Sequence, residues 1–148
     1  MIKVTPAGMS TLKFGSDLQI SAAGMNMQRR RMKVIAENIA NAQATASAPD
    51  KNPYRRKMIQ VQNKQVPELG VSLVRVGQVL MDTREFPRVF RPGDPGADER
   101  GFVRQSNVDI FTEMSDMREA NHSYNANLKA YENTRSMMLK ALSLLDGR

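Results

Sequence analysis

From Leu18 onward, apolar side chains return every seven residues: Leu18, Met25, Met32 and Ile39, with Ala22, Ile35 and Ala42 widening the stripe. This spacing predicts an amphipathic helix over residues 17–42, about 39 Å long at 1.5 Å per residue. Ser16 and Gln19 have the spacing of a capping box, and Asp17 suits a helix N-terminus. Gly24 sits inside this helix, beside Ser21, Ala22 and Ala23. Glycine there weakens the helix by about 1 kcal/mol relative to alanine, so close approach of another backbone is the expected reason for it. Residues 1–16 contain Pro6, Gly8 and Gly15 and show no period. They are expected to form a mobile arm.

A second seven-residue repeat runs through Ile110, Met117, Tyr124, Tyr131, Met138 and Leu145, with Met114, Leu128 and Leu142 in the neighbouring stripe. It predicts roughly 39 residues of helix within 107–148, about 58 Å long. Ser106 with Asp109 offers a capping box, and Asn107 is an alternative cap. A helix of that length needs a partner to cover its stripe.

The middle of the chain has a different pattern. Residues 43–53 are small, polar and broken by proline, and read as a linker. Met58, Ile59 and Val61, then Val71, Leu73, Val74, Val76, Val79 and Leu80, form β-branched runs cut by Pro67, Gly70 and Gly77. They predict two or three short strands within 54–106. Pro87 to Gly101 is turn-rich, and its Pro92-Gly93-Asp94-Pro95-Gly96 run suits no regular element. The expected fold is mainly α with a β-rich insert: two long amphipathic terminal helices packed as a coiled-coil-like pair, with a small β lobe between them. The expected segments are an arm (1–16), a helix (17–42), a linker and lobe (43–106) and a second helix (107–148).

Charge adds a register to this picture. The net charge is +7, split as +4 over residues 1–49, +4 over 50–106 and −1 over 107–148. An antiparallel helix pair brings Ile39 near Ile110, Met32 near Met117, Met25 near Tyr124 and Leu18 near Tyr131. Arg29, Arg30, Arg31 and Lys33 then lie beside Glu113, Asp116 and Glu119. Each exposed pair contributes only about 0.2–1 kcal/mol, so the expected role is to fix register. Whether the pair forms within one chain or between neighbours stays open at this point.

Candidate chemistry is sparse. Without cysteine there is no disulfide, thiol nucleophile or thiolate metal site. His122 is the only histidine and has no second histidine or cysteine to share a metal with. Asp94, Asp98 and Glu99 lack the alternating ligand spacing of an EF-hand and read as turn residues. No P-loop, GxSxG or HExxH occurs. No apolar run approaches a membrane span, and Met1–Leu12 lacks the apolar core of a signal peptide. Of the 11 methionines, those at heptad spacing (Met25, Met32, Met117 and Met138) read as core or interface filler. The clusters Arg29-Arg30-Arg31-Lys33 and Arg55-Arg56-Lys57 permit nucleic-acid binding, but aromatic content is 5% and only Tyr54 adjoins a cluster. No enzyme activity and no cofactor are expected. Two classes remain: a structural polymer subunit, or a basic adaptor for nucleic acid or another acidic partner.

Several stretches favour the first and leave the adaptor as the alternative. Ser21-Ala22-Ala23-Gly24-Met25, Gln28-Arg29-Arg30-Arg31-Met32 and Val34 to Ala42 are followed by Pro53-Tyr54-Arg55-Arg56-Lys57, by Pro92-Gly93-Asp94-Pro95 with Gly101-Phe102-Val103, and by Asn107-Val108-Asp109 with Glu113-Met114, Met117, Ala120 and Tyr124. In this order they resemble the axial proteins of the bacterial flagellum, the rod and hook family. Asn38-Ile39-Ala40-Asn41-Ala42 is similar to the signature those proteins share. The resemblance implies a structural subunit of the basal-body rod, or drive shaft, in the periplasm. It implies polymerisation through terminal helices that line the export channel and transmit torque, and export by the flagellar type III apparatus without a cleaved signal. Implied neighbours are further copies, the rod proteins FlgB, FlgF and FlgG, and the basal-body protein FliE, with no nucleic acid and no membrane span. The expected assembly interface is the apolar stripes themselves: Leu18, Met25, Met32, Ile35 and Ile39 on one helix, and Ile110, Met114, Met117, Tyr124, Leu128, Tyr131, Met138, Leu142 and Leu145 on the other.

Overall fold

The computed structural model describes residues 6–146, with the side chains of 14–144. Its elements are α1 (Pro6–Ala40), β1 (Lys57–Val66), β2 (Val71–Met81), β3 (Arg88–Phe90), β4 (Phe102–Arg104) and α2 (Ile110–Asp146). Two helices flank a small two-sheet β region, as the sequence pattern predicts.

The helix boundaries differ from the expectation at both N-termini. The stretch expected as an arm is helical from Pro6 onward; residues 1–5 lie outside the described residues. Pro6, Gly8 and Gly15 leave the stretch without an apolar period, yet all three lie in the helix. α2 starts at Ile110, after Asp109 rather than after Ser106 or Asn107. Asp109 is the cap: one carboxylate oxygen accepts from the Phe111 amide at 3.0 Å, the other from the Thr112 hydroxyl at 2.7 Å.

β1 and β2 pair as a two-stranded sheet. Their connection closes with Leu69 N–H donating to Val66 C=O and Gly70 N–H to Pro67 C=O. Gly70 has φ +65°, where a glycine avoids a Cβ clash. β3 and β4 pair antiparallel, with Arg88 opposite Arg104, Val89 opposite Val103 and Phe90 opposite Phe102. Two expectations are corrected here. The turn-rich segment contains a strand, β3. The expected linker also reaches this sheet: Thr45 bridges Gln105, Ala46 N–H donates to Arg104 C=O at 2.9 Å, and Ser106 N–H donates to Ala44 C=O at 2.9 Å. Ala46 is buried, and a side chain on Gly96 would collide with its carbonyl. Small residues in 43–46 therefore serve close packing rather than flexibility.

The chain forms two compact units. One combines α1 up to Arg29, residues 61–76 of the hairpin and α2 from Asn121. There Ser21 and Gln28 are buried, and a Cβ on Gly24 would lie 2.8 Å from the Asn127 amide. What approaches Gly24 is thus a side chain, not the backbone anticipated from sequence. The other unit combines residues 30–60 and 77–120, with Ile35, Ala42, Ala46, Val103 and Ala120 as its buried apolar core.

Burial along the helices follows a column that the apolar pattern marks only in part, at Ile35 and Ala42. On and just after α1 the buried positions seven apart are Ser21, Gln28, Ile35 and Ala42. On α2, Glu113 and Ala120 are buried and Asn127, Thr134 and Ala141 half-buried. The column is mostly small or polar, and the methionines and leucines border it. Among the described residues no helix is long and apolar enough to cross a membrane.

Candidate functional site

The two expected assembly stripes are placed as follows. Leu18, Met25, Met32 and Ile39 are half-buried and Ile35 is buried. Ile110, Met117, Tyr124, Leu128, Tyr131 and Met138 are half-buried, whereas Met114 and Leu142 are exposed. The side chain of Leu145 lies outside the described residues. Further apolar side chains on α2 are open to solvent: Phe111 is 84% exposed, Met137 and Leu139 are exposed, and Leu144 is 80% exposed.

The most organised chemistry lies elsewhere, in a polar junction that apolar periodicity could not reveal. Asn38 is buried at the end of α1. Its amide nitrogen donates to Lys57 C=O at 2.8 Å and to Glu113 Oε2 at 3.0 Å. Its oxygen accepts from Lys57 N–H at 3.0 Å and from the Tyr54 hydroxyl at 2.9 Å. Both donors and both lone pairs of the carboxamide are used, as burial demands. Asn41 caps the same helix end, donating to Glu37 C=O at 2.8 Å.

Glu113 is wholly buried in the first turn of α2, where a carboxylate favours the helix dipole. Arg56 Nε donates to its Oε1 at 2.5 Å, and Arg56 also reaches Asp116 at 3.3 Å and Asp82 at 3.7 Å. The Arg56 N–H donates to Asn107 Oδ1 at 2.7 Å, and Asn107 donates in turn to Arg84 C=O at 3.1 Å. Asn107 is therefore a buried clamp rather than a helix cap. Ser106 is buried beside it, with its hydroxyl accepting from Val108 N–H at 3.4 Å.

Three ionisable groups here are displaced from their ordinary values. The Arg84 side chain, hydrogen-bonded at 2.8 Å, holds the Asp82 carboxyl below the usual carboxylate range, and Asp82 raises Arg84 in return. Burial pushes the Tyr54 hydroxyl up, against the opposing charge of Lys57. Arg55 lies 4.1 Å from the Phe86 ring centre while donating to Asp82 C=O at 2.7 Å. So the cluster Arg55-Arg56-Lys57, with Lys57 also 3.3 Å from Glu37, is turned inward.

The expected charge register is occupied in part. Arg31 lies 3.4 Å from both Asp116 and Glu119, within one chain. Arg29 instead donates to Asn26 at 2.6 Å. Arg30 and Lys33 are exposed and form no ion pair among the described residues, and Glu113 is taken by Arg56. Asp94 accepts from Gly96 N–H and the Thr45 hydroxyl, and Asp98 from Arg100 and Phe102 N–H, so both carboxylates organise turns. Among the described residues no group of His, Asp and Glu is arranged to hold a metal ion.

The comparisons with known proteins fall on these elements. Residues 18–46 match the family model described as flagella basal body rod protein, and residues 99–144 match that of the flagellar basal body rod FlgEFG protein C-terminal region. The chain is 39% identical to the flagellar basal-body rod protein FlgC of Agrobacterium fabrum, covering 86% of this chain and 91% of that protein. It is 39% identical to FlgC of Yersinia enterocolitica (84% and 92% covered) and 34% identical to FlgC of Bacillus subtilis (86% and 95% covered). None of these supports a nucleic-acid adaptor. Identity of 34–39% over most of the chain, together with the two family matches, shows that the chain belongs to the family of flagellar basal-body rod proteins FlgC.

Proposed function

We propose that the chain, a structural subunit of the flagellar basal-body rod, polymerises through its two terminal helices to build a torque-transmitting tube around the export channel. One observation carries this reading. The polar groups shared by α1, β1 and α2 are satisfied within the chain at Asn38, Arg56 and Glu113, whereas large apolar side chains along α2 remain open to solvent. A folded subunit with exposed apolar helix surface is suited to bury that surface against another subunit.

Family membership implies assembly with other rod and basal-body proteins. The finer reading is that the neighbours are further copies, FlgB, FlgF, FlgG and FliE. Export through the flagellar type III apparatus without a cleaved signal, and assembly in the periplasm, belong to the same reading. The test is a deletion strain complemented with the wild-type gene. Electron microscopy of its basal bodies should show rings without a rod, and complementation should restore both rod and swimming. A deletion strain that swims would refute the proposal.

A further inference from the structure

The outward face of the β3–β4 sheet carries four side chains: Arg88 and Phe90 on β3, Phe102 and Arg104 on β4. Val103 on the opposite face is wholly buried, which fixes the direction of the alternation. The ladder bonds run from Gln105 N–H to Pro87 C=O and from Arg91 N–H to Gly101 C=O. Arg88/Arg104 and Phe90/Phe102 are therefore the non-hydrogen-bonded pairs, whose side chains sit closest together. The phenyl rings meet edge to face at 5.3 Å, yet Phe90 remains 61% and Phe102 40% exposed.

The arginine pair is the anomaly. Like charges directly opposite on a sheet are destabilising. Among the described residues no carboxylate lies within 4.0 Å of either guanidinium. Arg104 is nevertheless held in place, donating to Asn52 Oδ1 at 2.8 Å and to Pro49 C=O at 2.7 Å. Both acceptors are neutral, so they position the charge without compensating it. Arginine and exposed aromatic side chains are the residues over-represented at interface hot spots.

We infer that this Arg–Phe face is a docking surface for an acidic segment of a neighbouring axial protein, with a carboxylate between Arg88 and Arg104 and an apolar side chain against Phe90 and Phe102. The inference rests on the rod-subunit reading. A carboxylate fits because Arg88 and Arg104 stand directly opposite each other on one face of the sheet, and an arginine side chain binds carboxylate through its N–H donors. The flanking rings select an acidic residue followed closely by an apolar one, rather than a free anion.

The test uses opposite signs in two readouts. Arg88→Glu replaces a repulsive cross-strand pair by an attractive one, so the purified full chain should melt about 1–4 °C higher. The same substitution removes half of the carboxylate site, so a strain carrying it should fail to swim. A lower melting temperature, or normal swimming in a host whose deletion strain does not swim, overturns the docking face alone. A deletion strain that swims overturns the rod reading beneath it. A photo-crosslinking phenylalanine at position 90, in assembled basal bodies, identifies the occupant. A crosslink to an axial protein beside an Asp or Glu is expected. A crosslink only to polysaccharide, to a segment without an acid, or to nothing overturns the proposal.

Discussion

Asn38 and Glu113 stand 75 residues apart in the chain and meet at 3.0 Å, amide to carboxylate, out of reach of solvent. Around that contact each polar group has a reason to be where it is. Asn38 holds the start of β1, Glu113 holds Arg56, and Arg56 ties β1 to Asp82 at the end of β2 and to Asp116 on α2. The unit is locked by bonds with direction as well as by apolar packing.

Removing Glu113 strips Arg56 and Asn38 of a shared acceptor at once. Breaking a buried pair from one side costs about 3–5 kcal/mol when the surviving charge has no other partner; Arg56 keeps Asp116 and Asp82, which places the loss at the lower end of that range. Glu113→Ala should therefore lower the urea midpoint severely. Glu113→Gln, which keeps the shape and one acceptor oxygen, should lose less. Equal losses in the two variants would show that shape rather than charge matters at this site.

Gly24→Ala sets two effects against each other. Helix propensity gains about 1 kcal/mol. The new methyl meets the Asn127 side chain, itself held by a bond to Ser123 C=O at 3.0 Å, and overpacking costs about 1–3 kcal/mol. We expect net destabilisation that reverses in the double variant with Asn127→Ala. Thermal unfolding of both single variants and the double completes the cycle.

Asp82 makes stability depend on acid. Its carboxyl is depressed in the folded chain, chiefly by the Arg84 side chain. Its contribution is therefore complete above the unfolded value of about 3.9 and lost as pH falls through the lower folded value. Asp82→Asn should reduce the fall in urea midpoint below about pH 4. Some slope should persist, because hydrogen bonding to Thr112 depresses Asp109 in the same direction. An unchanged acid slope in the variant would remove Asp82 from the account.

Residues 137–148 include Met137, Leu139, Leu142 and Leu144, all exposed. Deleting this segment should leave the chain soluble, with a urea midpoint near that of the full chain, while rods fail to form in cells. Swimming by the truncated strain would separate this surface from assembly.

The helices and their antiparallel sense were legible because heptads survive in both stripes. Their register was legible only to within two residues. The expected pairing sets Asn125 opposite Gly24 and Phe111 opposite Asn38, whereas the observed partners are Asn127 and Glu113. The error has one physical source. Large apolar residues mark the border of the buried positions, and many of those positions are polar, Ser21, Gln28, Asn38 and Glu113 among them, which hydrophobicity scores as surface. The polar junction was hidden for the same reason. Asn38, Tyr54, Arg56, Asn107 and Glu113 were all visible as family motif residues, but no spacing rule joins five positions across the chain. The signal that does reveal it is their type: buried polar groups belong together because each requires a partner.

Asn38 also stands in for a strand. Its carboxamide bonds both the N–H and the C=O of Lys57, as a neighbouring backbone would. The first rung of β1 is thereby plugged. A free strand edge is a template on which another chain can grow, and a plugged rung cannot serve as one. At the root of the hairpin the Lys57 backbone is therefore not open to a second chain. Replacing Asn38 by aspartate, which cannot donate, or by glutamine, which overshoots, reopens that edge.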